Sequence, residues 1–377
     1  MRIPSANLAF LKSVSNMIRR WFPTPEFLIP RTCGVDISDS SVKWMMFSSG
    51  EPGHLKVATW GELPLDDGIV VHGIVKDVAR LSAVLSRVRQ HMGGVNAAHA
   101  ALPEEAAYVF SMHVPEGALH DQVLSLIEFE FNSRVPIPPS AAVYDFNVIQ
   151  HHEGETAEIA VVVFPAEVAE AYTEAFEKSG MELRSLEIEA HSIARAVSST
   201  NADEPITLLV DFGRARTGFA VLKRGMPIFT STVEVGGDSV ITAVQKALST
   251  SQEDAEMFSN EEGLFPKDGK RSPGAEAMIG TASTLADEVS RYYRYWDTRR
   301  NDQGNRVTPV GNIILVGGSA NMNGLVEYIA GRVQARVEKG NIWRHACNFD
   351  EYIPPIDARA SLKFATAAGL ALRGFKN

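Results

Sequence analysis

The chain has 377 residues, 45 % of them apolar, and a formal net charge of −10. That length holds two domains with substantial cores. The negative balance excludes a general nucleic-acid surface and wholesale attraction to anionic lipid, leaving only local basic segments for the latter. Two cysteines, Cys33 and Cys347, make no disulfide framework and fit a reducing cytosol. No His/Cys spacing resembles a zinc site. The apolar runs fall short of the roughly 20 residues a membrane span requires. The first residues do not read as a signal peptide, because Arg19-Arg20 follow the apolar residues instead of preceding them.

In residues 1–30, Leu8, Leu11, Val14, Ile18 and Trp21 recur at helical spacing beside Lys12, Arg19 and Arg20. An interfacial membrane helix over 1–22 is one reading, and a helix packed on its own domain or a tail is the other. Pro23, Pro25 and Pro30 stop it. Residues 33–47 read as a hairpin, and VATWGEL as a further strand. Asp77 caps a helix carrying Val78, Leu81, Leu85 and Val88, which Gly93-Gly94 ends. Ala97–Leu102 is a short strand.

From Pro103 the pattern changes. AAYVFSMHVP reads as a strand, LHDQVLSLIEFEFNSRV as a helix, and AVYDFNVIQ and AEIAVVVFP as strands. A helix runs from Glu167 to Ser179 and Gly180 terminates it. Glu128 and Glu130 sit two apart on a helix and point in different directions, which makes them surface charge and not a glycosidase pair. LRSLEIEAHSIARAV is a strand then a helix. After Gly236-Gly237 a helix is expected with Asp238 or Ser239 as its cap. Residues 251–274 read as a loop with a short helix. Ala275–Arg300 is a long helix whose Tyr292, Tyr293, Tyr295 and Trp296 are expected in the core.

Three stretches carry chemistry. Leu208–Gly218, LLVDFGRARTG, is a buried strand ending in Asp211, then Gly213, then Thr217, before the chain returns as FAVLK. Such a tip presents backbone amides to oxyanions, and its carboxylate orders a hydrated divalent cation. Gly34–Lys43, GVDISDSSVK, repeats the pattern around Asp36. Either hairpin alone also reads as an ordinary turn built on Asp and Gly, but two copies half a chain apart suggest duplicated halves. The third stretch, IILVGGSA at Ile313–Ala320, is a strand running into Gly-Gly-Ser, where a flat nucleoside can approach closely.

In this order and spacing the three stretches resemble the phosphate-1, phosphate-2 and adenosine motifs of the actin/Hsp70/sugar-kinase fold. ALPEEAAYVFSMHVP, IEFEFNSRVPIPPSAAVYDFNVI and GLALRGF look like the PilM family of type IV pilus assembly proteins, from about Cys33 to Phe375; FtsA is a more distant relative. The resemblance implies an α/β, duplicated actin-like fold with an extra small α/β subdomain. It divides the chain into a linker at 1–30, a first half at 31–103, 188–205 and 340–377, an inserted subdomain at 104–187, and a second half at 206–339. It implies ATP with Mg2+ ordered through water by Asp36 and Asp211. Phosphates would meet Ser40, Ser41 and Lys43 from one side, and Gly213 and Thr217 from the other. Gly236 and Gly237 would also contact the nucleotide, and Gly317, Gly318 and Ser319 would face adenosine.

The implied role is a cytoplasmic, inner-membrane-associated scaffold that binds the N-terminal cytoplasmic tail of a PilN-like protein. Self-association stays open. An FtsA-like tethered polymer and an actin-fold ATPase or kinase are the alternatives. Hydrolysis is expected to be weak or absent, because no residue that positions the attacking water is legible from spacing. Two departures bear on the site. Ser38 and Asp39 stand where the family has Gly-Ser or Gly-Ala, so crowding and repulsion of phosphate are expected there. Phe258 and Ser259 stand where the family often has a lysine.

Overall fold

The computed structural model describes residues 31–375 except 49, 153–155, 200–204, 266–271, 301–303, 305 and 307. The helix expected over 1–22 lies outside the described residues. Along the first half run β1 (Thr32–Ile37), β2 (Ser41–Phe47), β3 (Val57–Pro64), the short hairpin β4 (Val70–Val71) and β5 (Ile74–Val75), α1 (Val78–Gln90) and β6 (Ala97–Leu102). Then come β7 (Tyr108–Pro115), α2 (His120–Arg134), β8 (Ala142–His152), β9 (Thr156–Pro165), α3 (Ala166–Ser179), β10 (Glu182–Ile188) and α4 (Glu189–Val197). The second half holds β11 (Ile206–Phe212), β12 (Thr217–Lys223), β13 (Met226–Val233), α5 (Gly237–Leu248), α6 (Gln252–Glu261), α7 (Pro273–Asp297), β14 (Val310–Val316), α8 (Leu325–Ala330) and β15 (Arg336–Lys339). Two last helices, α9 (Ala358–Ser361) and α10 (Ala365–Leu372), close the chain.

The two large sheets share one topology. The first is ordered β3-β2-β1-β6-β10 and the second β13-β12-β11-β14-β15. Each is a three-stranded antiparallel meander extended by two parallel strands. This is the duplicated actin-like architecture. Central strands such as β1 and β6 are buried along their whole length, whereas the edge strand β3 alternates half-buried with exposed.

Local rules set the ends of the elements. The Asp77 carboxylate accepts from Arg80 N at 2.9 Å and caps α1. Gly180 at φ +73° ends α3. α5 differs from expectation: Gly236 is its cap, with no side-chain cap bond, and Asp238 pairs instead with Arg214. In α7, Tyr292, Tyr293 and Trp296 join the second core, while Tyr295 is 61 % exposed. The small residues of α10 let it lie against β1 and α4. A Cβ on Gly369 would sit 1.7 Å from Ser192 O, and one on Gly34 would sit 2.1 Å from Ala367 O.

The third sheet, ordered β7-β9-β8, packs α2 on one side around Ile127, Phe131, Ile159 and Val163. β10 does not belong to it. That strand pairs in parallel with β6, and α3 packs on α1, so the inserted sheet ends near Pro165 and not at 187. The module also touches the second half. Ile149 and Ala160 enter that core, and Lys223 Nζ lies 2.6 Å from Glu158 Oε2.

Candidate functional site

A cavity of about 960 Å3 lies between the halves. The parallel strands β1, β6 and β10 of one sheet, and β11 and β14 of the other, run their C-terminal ends to it, where α/β sheets present ligands. Asp36, Ser40, Ser41, Lys43, Asp211, Gly213, Gly237, Gly317, Gly318 and Ser319 line it.

Two residues expected there do not. Thr217 is fully buried and its hydroxyl donates to Val235 O at 2.5 Å, which turns it away from the cavity. Gly236 serves packing: a Cβ there would come within 2.3 Å of Arg214 O and 2.6 Å of Arg216 N. Ser319 reaches the cavity, but its hydroxyl donates to Gly213 O at 3.0 Å and ties the third stretch to the second hairpin.

At the first tip, Asp36 pairs across β1–β2 with Lys43, whose Nζ is 3.6 Å from Asp36 Oδ2. Ser38 does not crowd the turn. Its hydroxyl donates to Ser41 O at 3.0 Å and accepts from Ser41 N at 3.2 Å, closing the turn itself. Nor does Asp39 stand free to repel phosphate. Its carboxylate accepts from His72 N at 3.1 Å and Gly73 N at 2.8 Å, and pairs with Arg216 of the second tip. Arg216 also pairs with Glu105.

At the second tip, Asp211 stands opposite Gly218 in the β11–β12 register. Gly317, at φ +88°, lets the end of β14 pass against it. A Cβ there would lie 2.4 Å from Asp211 Oδ1.

Sequence reading missed Glu104, Glu105, Glu189 and Arg216, all of which line the cavity. A signal existed. β6 occupies in the first sheet the place β14 has in the second, so the residues just past its end are structural counterparts of the Gly-Gly-Ser turn. Glu189 likewise follows the parallel strand β10 directly. A carboxylate within two residues of such a strand end is a cleft candidate.

Glu104 Oε1 accepts from Ala190 N at 2.7 Å, and a Cβ on Gly218 would meet its Oε2 at 2.9 Å. Asp36 and Glu104 are buried, and Asp211 and Glu189 are half-buried by surface exposure but enclosed deep in the cleft. Burial, then mutual repulsion, raises their pKa values: Glu104 is pushed up to about 8 and Asp211 to about 6. Glu189 stands well above the ordinary carboxylate range, first through burial and then through Asp36 and its other acidic neighbours. Asp36 is raised by burial, which Lys43 only partly offsets. No described ion pair involves Glu104, Glu189 or Asp211, and the other cationic side chains lining the cavity are engaged: Arg214 by Asp238 and Lys363 by Glu62. The arrangement is short of positive charge.

A divalent cation fits that shortage in one particular way. No three His, Cys, Asp or Glu side chains among the described residues converge closely enough to hold a metal by themselves. Asp36 and Asp211, facing each other from two tips, suit a hydrated ion held through water, with anionic oxygens of a ligand completing its shell.

The family model for type IV pilus assembly protein PilM matches residues 34–375. Among curated proteins no sequence matches the chain. A solved PilM–PilN type IV pilus biogenesis complex is similar over 92 % of this chain and 99 % of that one, at 19 % identity and a TM-score of 0.74. MreB5 of Spiroplasma citri bound to ADP is similar over 92 % and 95 %, at 13 % identity and 0.53. Ethanolamine utilization protein EutJ from Carboxydothermus hydrogenoformans covers 96 % of each chain, at 17 % identity and 0.52.

Proposed function

The chain belongs to the PilM family of type IV pilus assembly proteins, and from that premise we propose that it is a nucleotide-binding scaffold at the cytoplasmic face of the inner membrane. ATP with Mg2+ is its ligand. The observation that supports this reading is the convergence of two hairpin tips, each with an enclosed carboxylate, and a Gly-Gly-Ser turn on one cavity. Backbone amides at the tips take the phosphates, Lys43 supplies positive charge, and Asp36 and Asp211 hold water around the cation. Bound magnesium supplies charge neutralisation. The chain's own part is to orient the phosphates between the tips.

Turnover is slow in this reading. Burial pushes Glu104 up to about 8 and raises Glu189 as well, which disfavours the ionised form that would accept a proton from an attacking water.

The partner is the N-terminal tail of a PilN-like inner-membrane protein. The solved PilM–PilN complex supports that choice, and the inserted module offers surface for it. Leu119, which precedes α2, and Leu126 and Phe129 on α2 are exposed, and β8 is an edge strand carrying exposed Val143 and Val148. An extended tail adds to such an edge or sets apolar side chains against such exposed residues. No helix among the described residues is long and apolar enough to cross a membrane, so in this reading the tail supplies the membrane link.

Calorimetry with ATP and Mg2+ tests the first part, and no heat at millimolar nucleotide overturns it. A fluorescent peptide copied from a PilN-like N-terminus tests the second. It should bind the intact protein and weaken with Phe129→Asp at an unchanged melting temperature.

A further inference from the structure

We propose that Arg216 is an interlobe clamp: one guanidinium on the second hairpin tip fastens Asp39 of the first tip and Glu105 beyond β6, and so holds the cleft closed before any ligand arrives. The inference rests on the nucleotide reading only in calling the ligand a nucleotide. The clamp itself rests on geometry.

Arg216 pairs through Nη2 with Asp39 and through Nη1 with Glu105, spanning 177 and 111 residues of chain. Its two acids come from different segments, the β1–β2 turn of the first half and the residues between β6 and β7. The fork of a guanidinium suits two acceptors at once, and a lysine ammonium supplies the charge without the fork. Arg216 is 20 % exposed, Asp39 28 % and Glu105 24 %, so the group is largely withdrawn from water and exceeds an ordinary surface pair.

The first half is built to present Asp39. The turn of β4–β5 wraps over it and gives it two backbone amides, with His72 held at φ +49° to do so. A non-glycine residue in that region stores strain, which the hydrogen bonds donated by His72 N and Gly73 N to the Asp39 carboxylate help offset. The clamp also stands between two spaces. Asp39, Glu104, Glu105 and Arg216 line both the main cavity and a smaller one of about 480 Å3 that reaches Thr230 and Glu234 on the far side. Releasing Arg216 frees the two tips to separate and joins the two spaces.

The consequence is kinetic. A clamp made in the empty protein stabilises the closed form whether or not ligand is present, so it slows both entry and exit and leaves the equilibrium affinity less affected.

Cys33 and Cys347 are buried, so cysteines introduced at exposed Gln90 on α1 and Glu253 on α6 take spin labels selectively. In the nucleotide-free full chain the interlabel distance should be single and narrow. Arg216→Ala should broaden it and Arg216→Glu should lengthen it by repulsion. Arg216→Lys should restore it in part, a rescue that loss of packing alone does not give. Glu105→Gln, a milder change, should broaden it without loss of fold. Release of a fluorescent ATP analogue should quicken roughly tenfold in Arg216→Ala. Distances unchanged by both Arg216→Glu and Glu105→Gln overturn the clamp, whatever the nucleotide does. Distances that respond while no analogue binds uphold the clamp and overturn the nucleotide reading instead.

Discussion

Two clusters of enclosed charge stand a few residues apart in sequence and behave in opposite ways. Glu187, at the end of β10, accepts both Arg195 Nη atoms at 2.5 and 2.6 Å and Arg373 Nη1 at 2.5 Å, while Arg195 also donates to Gly369 O on α10. Burial alone would raise its pKa, but Arg195, His191 and Arg373 outweigh that and hold it low. Two residues on, Glu189 faces the cleft and is driven high. The first cluster is balanced within the fold and staples β10, α4 and the C-terminal helix. The second is left unbalanced. Acids that crowd together without cations cost stability, and on the proposed function a cation and its ligand supply the balance.

That contrast can be broken at either end. The largest effect is expected from Glu187→Ala, which strands the buried Arg195 guanidinium and frees the half-exposed Arg373, and should cost about 3–5 kcal/mol, read as a fall in denaturation midpoint. Asp211→Asn should do the reverse in the cleft. Removing one of several repelling charges should raise the stability of the empty protein by about 1 kcal/mol while weakening Mg2+-dependent ATP binding at least tenfold, a trade seen by melting and calorimetry on one sample. A loss of both stability and binding would mean that Asp211 is already balanced.

The pH limbs should carry opposite signs. Glu104 holds its proton to about pH 8 when folded but releases it near 4.5 when unfolded. Over that window the folded state binds more protons, so its contribution to stability falls as pH rises, and Glu104→Gln should flatten the slope. His99, hydrogen-bonded to Ser185 at 2.7 Å, is lowered to about 4 by burial and then by Arg373. Unfolded, it binds a proton near 6.5, so its contribution is lost as pH falls from there toward 4. His99→Gln should remove that smaller acid limb. The earlier expectation for Asp39 also changes: Asp39→Ser should not tighten ATP binding by relieving repulsion, because Arg216 already neutralises that carboxylate.

The halves were legible because a duplicated strand–carboxylate–turn pattern is local: Asp36 and Asp211, Lys43 and the Gly-Gly-Ser turn all announce themselves within ten residues of a strand end. Thr217 misled for the same local reason, since register and not spacing decides that its hydroxyl turns to Val235. The clamp was invisible, because Asp39 and Arg216 meet across 177 residues and an interlobe angle that no periodicity encodes. The 104–187 bounds enclosed β10, which pairs with β6 instead, because a strand's partner is a tertiary choice that the pattern ELRSLEI does not specify.

The bond between Lys223 and Glu158 gives the inserted sheet a second anchorage, one in each half of the molecule. A body pinned at two points to two others works as a linkage: when the pinned bodies rotate, it must turn with them or slip a pin. Rotation of the halves about the cleft therefore becomes tilt of the β7-β9-β8 sheet and of the α2 helix it carries. The relation runs both ways, so on the proposed function a tail held by that sheet and drawn toward the membrane acts as torque on the cleft and on the ligand it would hold.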